Sequence, residues 1–229
     1  NYITLQHIIE TITGQSLRDF AKENIFDILG MQYTDYLPTI QQQDGKWINT
    51  VACPWMDRIA PTEKQKDGSV LCGQVHDPLA RILNGGIYGN AGIFSNANDI
   101  GILAAALLNG GEYNGRRILS PLGVKTMCTV PRELTAFGRT PGWDIFSPYA
   151  SNKGDLFSPN TFGHTGYTGT SIIIDPDNDT AVILLVNAVH PEDRHSIVRL
   201  RSLVANAVAA SICPPAQVYT DHYYKRFLQ

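Results

Sequence analysis

Two apolar segments near the C-terminus, residues 167–174 and 180–187, constrain the fold more than any other feature of the sequence. Both are rich in β-branched residues, and the run Asp175-Pro176-Asp177-Asn178-Asp179 between them is typical of a turn. The pair therefore predicts an antiparallel hairpin. Residues 196–212 follow with helical periodicity and predict a terminal helix whose inward positions are Val198, Leu203, Val204, Ala207 and Val208.

Residues 1–30 predict two helices. The first ends before Gly14, and the second runs from an N-cap at Ser16 to Gly30. The apolar stripe of the first helix consists of Leu5, Ile8, Ile9 and Ile12.

The middle of the chain predicts ordered loops that shape a site. Residues 32–86 have little periodicity and many prolines and glycines, and residues 131–162 are irregular as well. Between them, a helix is predicted after Ser95-Asn96 and a short one after Ser120-Pro121. Terminal helices with a C-terminal hairpin predict an α+β fold with an antiparallel sheet, as one domain over residues 1–212 followed by a tail over 213–229.

The composition argues against several kinds of partner. A formal net charge of −3, from 18 basic and 21 acidic residues spread along the chain, provides no basic stripe for nucleic acid. No run of about 18 apolar residues occurs, so no transmembrane segment is expected. The four cysteines are scattered, and His190-Pro191-Glu192 lacks the Cys pair of a zinc deaminase, so neither a metal nor another cofactor is expected.

The run Phe162-Gly163-His164-Thr165-Gly166-Tyr167-Thr168-Gly169-Thr170 resembles the Lys-Thr-Gly or His-Thr-Gly strand of penicillin-recognising serine hydrolases. Further segments are similar to the same superfamily, in the same order. They are residues 8–31, 60–63, 73–78 and 89–95, Trp143-Asp144 and residues 187–191. The chain is thus identified as a member of the superfamily of class C-like serine β-lactamases, penicillin-binding proteins and esterases, with a β-lactamase/transpeptidase-like fold that is incomplete in this chain.

The resemblance implies that one wall of an acyl-transfer site lies here. His164 would offer an imidazole, Thr165 a hydroxyl for a substrate carboxylate or carbonyl, and Gly166 room for close approach. The backbone N–H of Tyr167 would form half of an oxyanion hole. Asn90 and His76 are expected to border the substrate, although His76-Asp77 alternatively forms a surface hydrogen-bonded pair. The literal Tyr-x-Asn at 88–90 is interpreted as a coincidence, because it follows the two helices.

The nucleophile is the element that the sequence lacks. None of the serines is followed by a lysine three residues later, and no G-x-S-x-G elbow occurs. In family order the Ser-x-x-Lys and Tyr-x-Asn motifs precede the two first helices, so both are expected upstream of Asn1. The chain alone should then expose apolar surface, and bind the missing N-terminal portion or self-associate.

The expected reaction is hydrolysis of a small acyl substrate through an acyl-enzyme: a β-lactam, a D-Ala peptide or an ester. His164 in place of Lys favours an esterase or D-Ala peptidase over a β-lactamase. The alternative is a non-catalytic relative that binds cell wall or a partner. A third hypothesis, a complete site built from His164 and a local serine such as Ser171, is disfavoured because Ser171 has no obvious base. The resemblance implies that the protein is exported to the bacterial periplasm or cell envelope, as is usual in this superfamily.

Overall fold

The structure is a computed structural model that describes residues 1–147, 150–193 and 196–212. The predicted tail, residues 213–229, lies outside the described residues. The helices are α1 (Tyr2–Thr13), α2 (Leu17–Ala21), α3 (Asp27–Leu29), α4 (Pro78–Asn84), α5 (Ala97–Leu108), α6 (Pro121–Cys128) and α7 (Val198–Ser211). A π-helical turn, Lys22–Phe26, joins α2 to α3, and 3₁₀ turns occupy Met56–Arg58, Arg132–Phe137 and Ala150–Lys153.

The strands form small antiparallel sheets in the described part of the chain. They are β1 (Asp35–Tyr36), β2 (Thr39–Gln41), β3 (Trp47–Asn49), β4 (Ile93–Phe94), β5 (Glu112–Tyr113), β6 (Arg116–Arg117), β7 (Phe162–Thr165), β8 (Ser171–Asp175) and β9 (Thr180–Leu184). Three two-stranded sheets pair β1 with β4, β2 with β3, and β5 with β6. The largest sheet has the order β7-β8-β9, which puts β7 at its edge. The expected α+β architecture is confirmed.

The helix boundaries follow local signals that the sequence already contains. The side chains of Ser16, Asn96 and Ser120 cap α2, α5 and α6 by accepting a hydrogen bond from a backbone N–H three residues later. Gly14 and Gly30 end their helices in the left-handed conformation, with φ of 69° and 74°. The helix predicted between Ser16 and Gly30 is therefore present, with a π-turn in its middle.

The predicted strand over residues 167–174 is wrong in its first half. Phe162–Thr165 is the strand that pairs with β8, and the chain then turns before β8 begins at Ser171. The Gly166 N–H donates to the Thr170 carbonyl at 2.7 Å, and Gly169 adopts a φ of 124°, so these residues form a tight turn. His164-Thr165-Gly166 thus lies where β7 ends, and β9 ends at Leu184 rather than at residue 187.

Helix α4 lies inside the region that was predicted to consist of loops. Asp77 accepts hydrogen bonds from the N–H groups of Leu79 and Ala80, and Pro78 occupies the first turn. The helix has only seven residues, which is too short for periodicity to reveal it.

The sheet β7-β8-β9 packs between two helices. Phe162 and Ile174 face α5, where they meet Ala104 and Leu107. On the opposite face of β8, Ile173 packs with Ala205 of α7. Because adjacent strand residues point to opposite faces, this alternation buries both sides of β8 and fixes its register.

Two helices expose apolar side chains. On α1, Leu5 is 50% exposed and Ile12 78% exposed, so the predicted stripe is largely uncovered. On α7, Val198 and Leu203 are about half exposed, at 49% and 54%, which corrects the expectation that both face inward. The core position of α7 is Ala205 instead. The expected exposure of apolar surface is thus observed. Among the described residues, each helix is too short or too polar to span a bilayer.

Asp175, at the end of β8, is the centre of a buried polar network. The carboxylate is 1% exposed and accepts hydrogen bonds from the Ser158 hydroxyl at 2.6 Å, the Ser158 N–H at 3.0 Å and Asn178 Nδ2 at 2.7 Å. Burial alone would raise the pKa of Asp175, but these donors and the Asp177 N–H outweigh it and hold the pKa below its reference value.

The lowered pKa of Asp175 predicts an acid-sensitive contribution to stability. The contribution is present above the unfolded-state pKa of about 3.9 and is lost as the pH falls through the lower folded-state value. We expect Asp175→Asn to lose about 1–3 kcal/mol at neutral pH and to show a weaker loss of stability in acid, measured by urea unfolding across a pH series. Asp67→Asn, at an exposed carboxylate whose pKa is also lowered, is the control with little effect. Parallel pH profiles for Asp175→Asn and the unmodified protein would contradict the prediction.

Candidate active site

His164 lies at the end of β7 with both ring nitrogens in contact with the protein. Nδ1 is 2.9 Å from the carbonyl oxygen of Thr165, and Nε2 is 3.3 Å from Nη2 of Arg139. The ring of Tyr2, in the first turn of α1, meets the imidazole edge-on with 6.3 Å between centroids. The start of α1 and the end of β7 are therefore neighbours, although they are far apart in sequence.

Arg139 is a residue of this region that the sequence analysis missed. Its Nε lies 3.1 Å from Oδ1 of Asp144, whose side chain is only 3% exposed. Asp144 in turn exchanges two backbone hydrogen bonds of 2.9 Å with Gly163 of β7, and its carboxylate accepts a bond from the Ser147 hydroxyl at 2.6 Å. The ion pair and the strand therefore form one rigid unit. In the sequence analysis, only the Trp143-Asp144 pair, one of the segments similar to the superfamily, indicated this part of the site.

The turn after His164-Thr165 is held by an arginine from α7. Nη2 of Arg201 donates to the carbonyl oxygens of Gly166 at 2.7 Å and Thr170 at 3.0 Å. Burial lowers the pKa of the Arg201 guanidinium. A Cβ at Gly166 would come within 2.2 Å of the Thr170 hydroxyl, so glycine allows the turn to close.

Two hydrogen-bond donors lie in or beside this turn. Among the described residues, neither the backbone N–H of Tyr167 nor the hydroxyl of half-buried Thr165 has a hydrogen-bond partner. An N–H beside a glycine, on a turn that is fixed from behind, can bind an oxygen atom that carries developing negative charge.

The side chain of Tyr167 connects the turn to two other loops. It is 75% exposed, its hydroxyl donates to Oδ2 of Asp193 at 2.5 Å, and its ring stacks on His76 with 5.8 Å between centroids. The hydrogen bond with Asp193 raises the pKa of Tyr167. This stacking places His76 next to the turn, where a residue that borders the substrate would have to lie.

His76 is supported from beneath by the buried Arg81. Nη1 of Arg81 donates to the carbonyl oxygens of Val75 at 2.5 Å and His76 at 3.3 Å, and burial lowers the Arg81 pKa. The buried Nε2 of His76 lies 3.5 Å from Oε2 of Glu63, but the geometry does not make a hydrogen bond. Electrostatic attraction is therefore available only when the imidazole is protonated.

Asn90 is connected to His76 through Asp77. Its Nδ2 donates to Oδ2 of Asp77 at 3.3 Å, and the preceding Gly89 donates its N–H to the buried Gln6 of α1 at 2.8 Å. A Cβ on Gly89 would lie 2.3 Å from the carbonyl oxygen of Tyr2. The structure thus groups His164, Thr165, Gly166, Tyr167 and His76 through direct contacts or chain adjacency. Asn90 is connected to this group only through Asp77, which follows His76 in the chain.

His, Cys, Asp and Glu are the side chains that most often bind metal ions. Within residues 1–147, 150–193 and 196–212, no group of three or more His, Cys, Asp or Glu side chains is placed to hold an ion. Cys53, Cys72 and Cys128 are free thiols, and burial raises the pKa of Cys128 to about 11. Cys213, the fourth cysteine, and His195 lie outside the described residues.

Loss of the Arg201 donors should loosen the turn. We expect Arg201→Met to destabilise the protein by about 1–3 kcal/mol, because two carbonyl oxygens lose their donor. At this chain length the loss corresponds to a fall of several degrees in melting temperature, measured by calorimetry. Arg199→Met, at an exposed position of the same helix, is the matched control. Equal melting temperatures for the two variants would refute the proposed support of the turn.

The sequence matches known proteins over most of its length. A sequence model of the family described as "Beta-lactamase" matches residues 1–206. A relative from Escherichia coli (strain K12), named "Putative D-alanyl-D-alanine carboxypeptidase", is 35% identical over 204 residues, which cover 83% of this chain and 44% of the relative. A protein of the same name from Salmonella gallinarum is 33% identical over the same shares. The chain therefore spans less than half the length of these relatives.

Solved structures show the same fold. Simvastatin synthase from Aspergillus terreus matches with a TM-score of 0.60 and 16% identity, over 92% of this chain and 54% of that chain. A β-lactamase from Mycobacterium bovis matches with a TM-score of 0.57 and 19% identity, over 91% and 61% of the two chains. The match over nearly all of the described residues, with the His-Thr-Gly strand at the sheet edge, shows that this chain belongs to the Beta-lactamase family, within the serine β-lactamase and penicillin-binding protein superfamily.

Proposed function

We propose that this chain provides the substrate-binding wall of a serine acyl hydrolase that acts through an acyl-enzyme. The observation that carries the proposal is the unpaired N–H of Tyr167, on a turn that Arg201 fixes and next to a glycine. In this family position such an amide donates to the acyl oxygen as the carbonyl carbon becomes tetrahedral. A preorganised donor of this kind costs no reorganisation during the reaction, which is why it accelerates acyl transfer.

The proposed reaction has two steps. A serine hydroxyl attacks the acyl carbon, the proton of that hydroxyl passes through a base to the leaving group, and the bond between the acyl carbon and the leaving group breaks. Water then attacks the acyl carbon, and the bond between that carbon and the serine oxygen breaks. One proton of the water returns to the serine oxygen, and the acid is released. Tyr167 N–H would stabilise the negative oxygen in both steps, while Thr165 and Asn90 would bind polar groups of the substrate.

The nucleophile in this proposal belongs to polypeptide outside these 229 residues. Three observations support the idea. No serine of the chain is followed by a lysine three residues on, the curated relatives are more than twice as long as the matched segment, and the apolar stripe of α1 is exposed. A further segment of the same protein would cover such a stripe, and self-association would do so in its absence.

The proposal also includes a substrate class and a cellular location. The substrate is an ester or a D-alanyl peptide in preference to a β-lactam, in keeping with the name of the 33–35% identical relatives and with the His-Thr-Gly triplet in place of Lys-Thr-Gly. The location is the bacterial periplasm or cell envelope. Neither nucleic acid nor a metal enters the reaction as proposed.

Covalent labelling tests for the acyl-enzyme. We expect a fluorophosphonate or a fluorescent penicillin to label a serine in the complete gene product and to leave the isolated 229-residue chain unlabelled, as read by gel fluorescence and peptide mass spectrometry. Failure to label either polypeptide would favour the non-catalytic binding module. A label on Ser171 of the short chain would instead support a site that is complete within it.

Substitution of Tyr167 tests the main-chain amide. In the complete gene product, Tyr167→Pro removes the N–H and should lower kcat on a p-nitrophenyl ester by about a hundred- to a thousandfold. This is the typical cost of one oxyanion donor. Tyr167→Ala is the control, because it removes the ring and hydroxyl but keeps the N–H, and it should lose far less activity. Equal losses for the two variants, with both proteins folded by circular dichroism, would exclude the amide as an oxyanion donor.

A further inference from the structure

In the part of the chain that the structure describes, the main chain of Tyr167 makes no hydrogen bond. Arg201 holds the carbonyl oxygens of Gly166 and Thr170, which lie on either side of it in the turn. The side-chain hydroxyl makes the one hydrogen bond of Tyr167 to the described residues, at 2.5 Å to Oδ2 of Asp193. The direction of the Tyr167 N–H therefore depends on its own side chain as well as on Arg201.

The acceptor of this hydrogen bond lies in a loop, residues 187–193, that is anchored in two places. The Ala188 N–H donates to the carbonyl oxygen of Thr168, in the turn itself, at 2.7 Å. Further along the loop, the carbonyl oxygen of Pro191 accepts a hydrogen bond of 2.8 Å from the Lys64 N–H. The carboxylate that receives the Tyr167 hydroxyl is therefore presented by an ordered segment, whose position is fixed by main-chain contacts.

The ring of Tyr167 is also held on one face. It stacks on His76 with 5.8 Å between centroids and 23° between the ring planes. The side chain of His76 is only 12% exposed, and its carbonyl oxygen accepts a hydrogen bond from the buried Arg81. A phenol side chain has two rotatable bonds, so one contact at its tip and one on its face leave it little freedom. Because the ring and the N–H are joined through the same Cα, a fixed ring restricts the direction of the amide.

We propose that Asp193 is a positioning residue for the acyl transfer, and that it acts through the Tyr167 phenol to direct the Tyr167 N–H at the acyl oxygen. The inference rests on the proposed function and goes beyond it by assigning a role to a residue of a separate loop. An ionised carboxylate is a stronger acceptor for a hydroxyl than a neutral oxygen, which suits a restraint that lies partly in solvent. Hydrogen bonds weaken steeply as their angle departs from linearity, so a misdirected N–H would stabilise the transition state less.

Substitutions at the two ends of the hydrogen bond test the inference in the complete gene product. We expect Tyr167→Phe and Asp193→Ala each to lower kcat on a p-nitrophenyl ester by about three- to tenfold, the range for one net hydrogen bond, with little change in KM. The double variant should lose no more than either single variant, because both remove the same interaction. Asp193→Asn keeps an acceptor oxygen and should recover part of the loss.

Phenylboronic acid separates positioning from a merely structural role. Its tetrahedral adduct with the catalytic serine places an oxygen where the oxyanion develops, so Asp193→Ala should weaken its binding by about the same three- to tenfold. Asp57→Ala, at an exposed aspartate of the turn Met56–Arg58, is the matched control and should change neither kcat nor the affinity for the boronic acid. The melting temperatures of the two alanine variants should be similar, because both substitutions lie at exposed positions.

The possible results distinguish this inference from the proposed function. Ester hydrolysis by the unmodified protein, with unchanged kcat and boronic acid affinity in both single variants, would overturn the inference alone. Losses that multiply in the double variant would overturn it as well, since the two groups would then act independently. If Asp193→Ala does not fold, Tyr167→Phe, which keeps the stacked ring, decides by the same two readouts. Neither hydrolysis nor covalent labelling in the unmodified protein would overturn the proposed function and the inference with it.

Discussion

The candidate site depends on the fork of hydrogen bonds from Arg201 to the carbonyl oxygens of Gly166 and Thr170. A turn of five residues between two strands has many conformations, and most of them would point the Tyr167 amide elsewhere. The arginine reaches the turn from α7, whose Ala205 is buried against β8 and whose Asn206 exchanges hydrogen bonds with Asp155. The position of one main-chain N–H is thus set by the packing of a whole helix.

Around this turn, polar groups come from five separate parts of the chain. Tyr2, His76, Arg139 and Asp193 each belong to a different loop or helix start, and each contacts strand β7 or its turn. Asn90 belongs to a fifth segment and bonds to Asp77, next to His76. Hydrogen bonds to buried polar residues such as Gln6, Arg81 and Asp144 help to fix these loops. The long irregular segments of the sequence are therefore ordered by specific polar contacts.

The sequence predicted those parts of the structure that depend on neighbouring residues. Helix caps at Ser16 and Ser120, and the left-handed ends at Gly14 and Gly30, are local, and all are present. The Asn114-Gly115 turn has positive φ at both residues and joins β5 to β6, as the Asn-Gly dipeptide favours. The superfamily was recognised because the His-Thr-Gly run stood beside a strand, a turn and a helix in the family order.

The parts that the sequence did not predict depend on distant contacts. Residues 167–170 have β-forming side chains, yet Arg201 and the left-handed Gly169 close them into a turn, so tertiary structure overrode local propensity. The direct contact of Arg139 with His164 joins residues 25 positions apart, with Arg139 also paired to the buried Asp144, and no local pattern records it. Exposure of apolar surface was expected, but its place on α1 and α7 was not predicted, because amphipathic periodicity indicates an apolar face without indicating what covers it.

Gly89 illustrates how tightly two distant segments are coupled. Its φ is not in the left-handed region, so the backbone there would accept any residue; the restriction comes from the Tyr2 carbonyl oxygen, against which an added methyl carbon would lie at 2.3 Å. An alanine at this position would have to push the first turn of α1 outward, and the aromatic ring that borders His164 would move with it. The addition of a single carbon atom at Gly89 would therefore alter the surroundings of His164 from a separate segment of the chain.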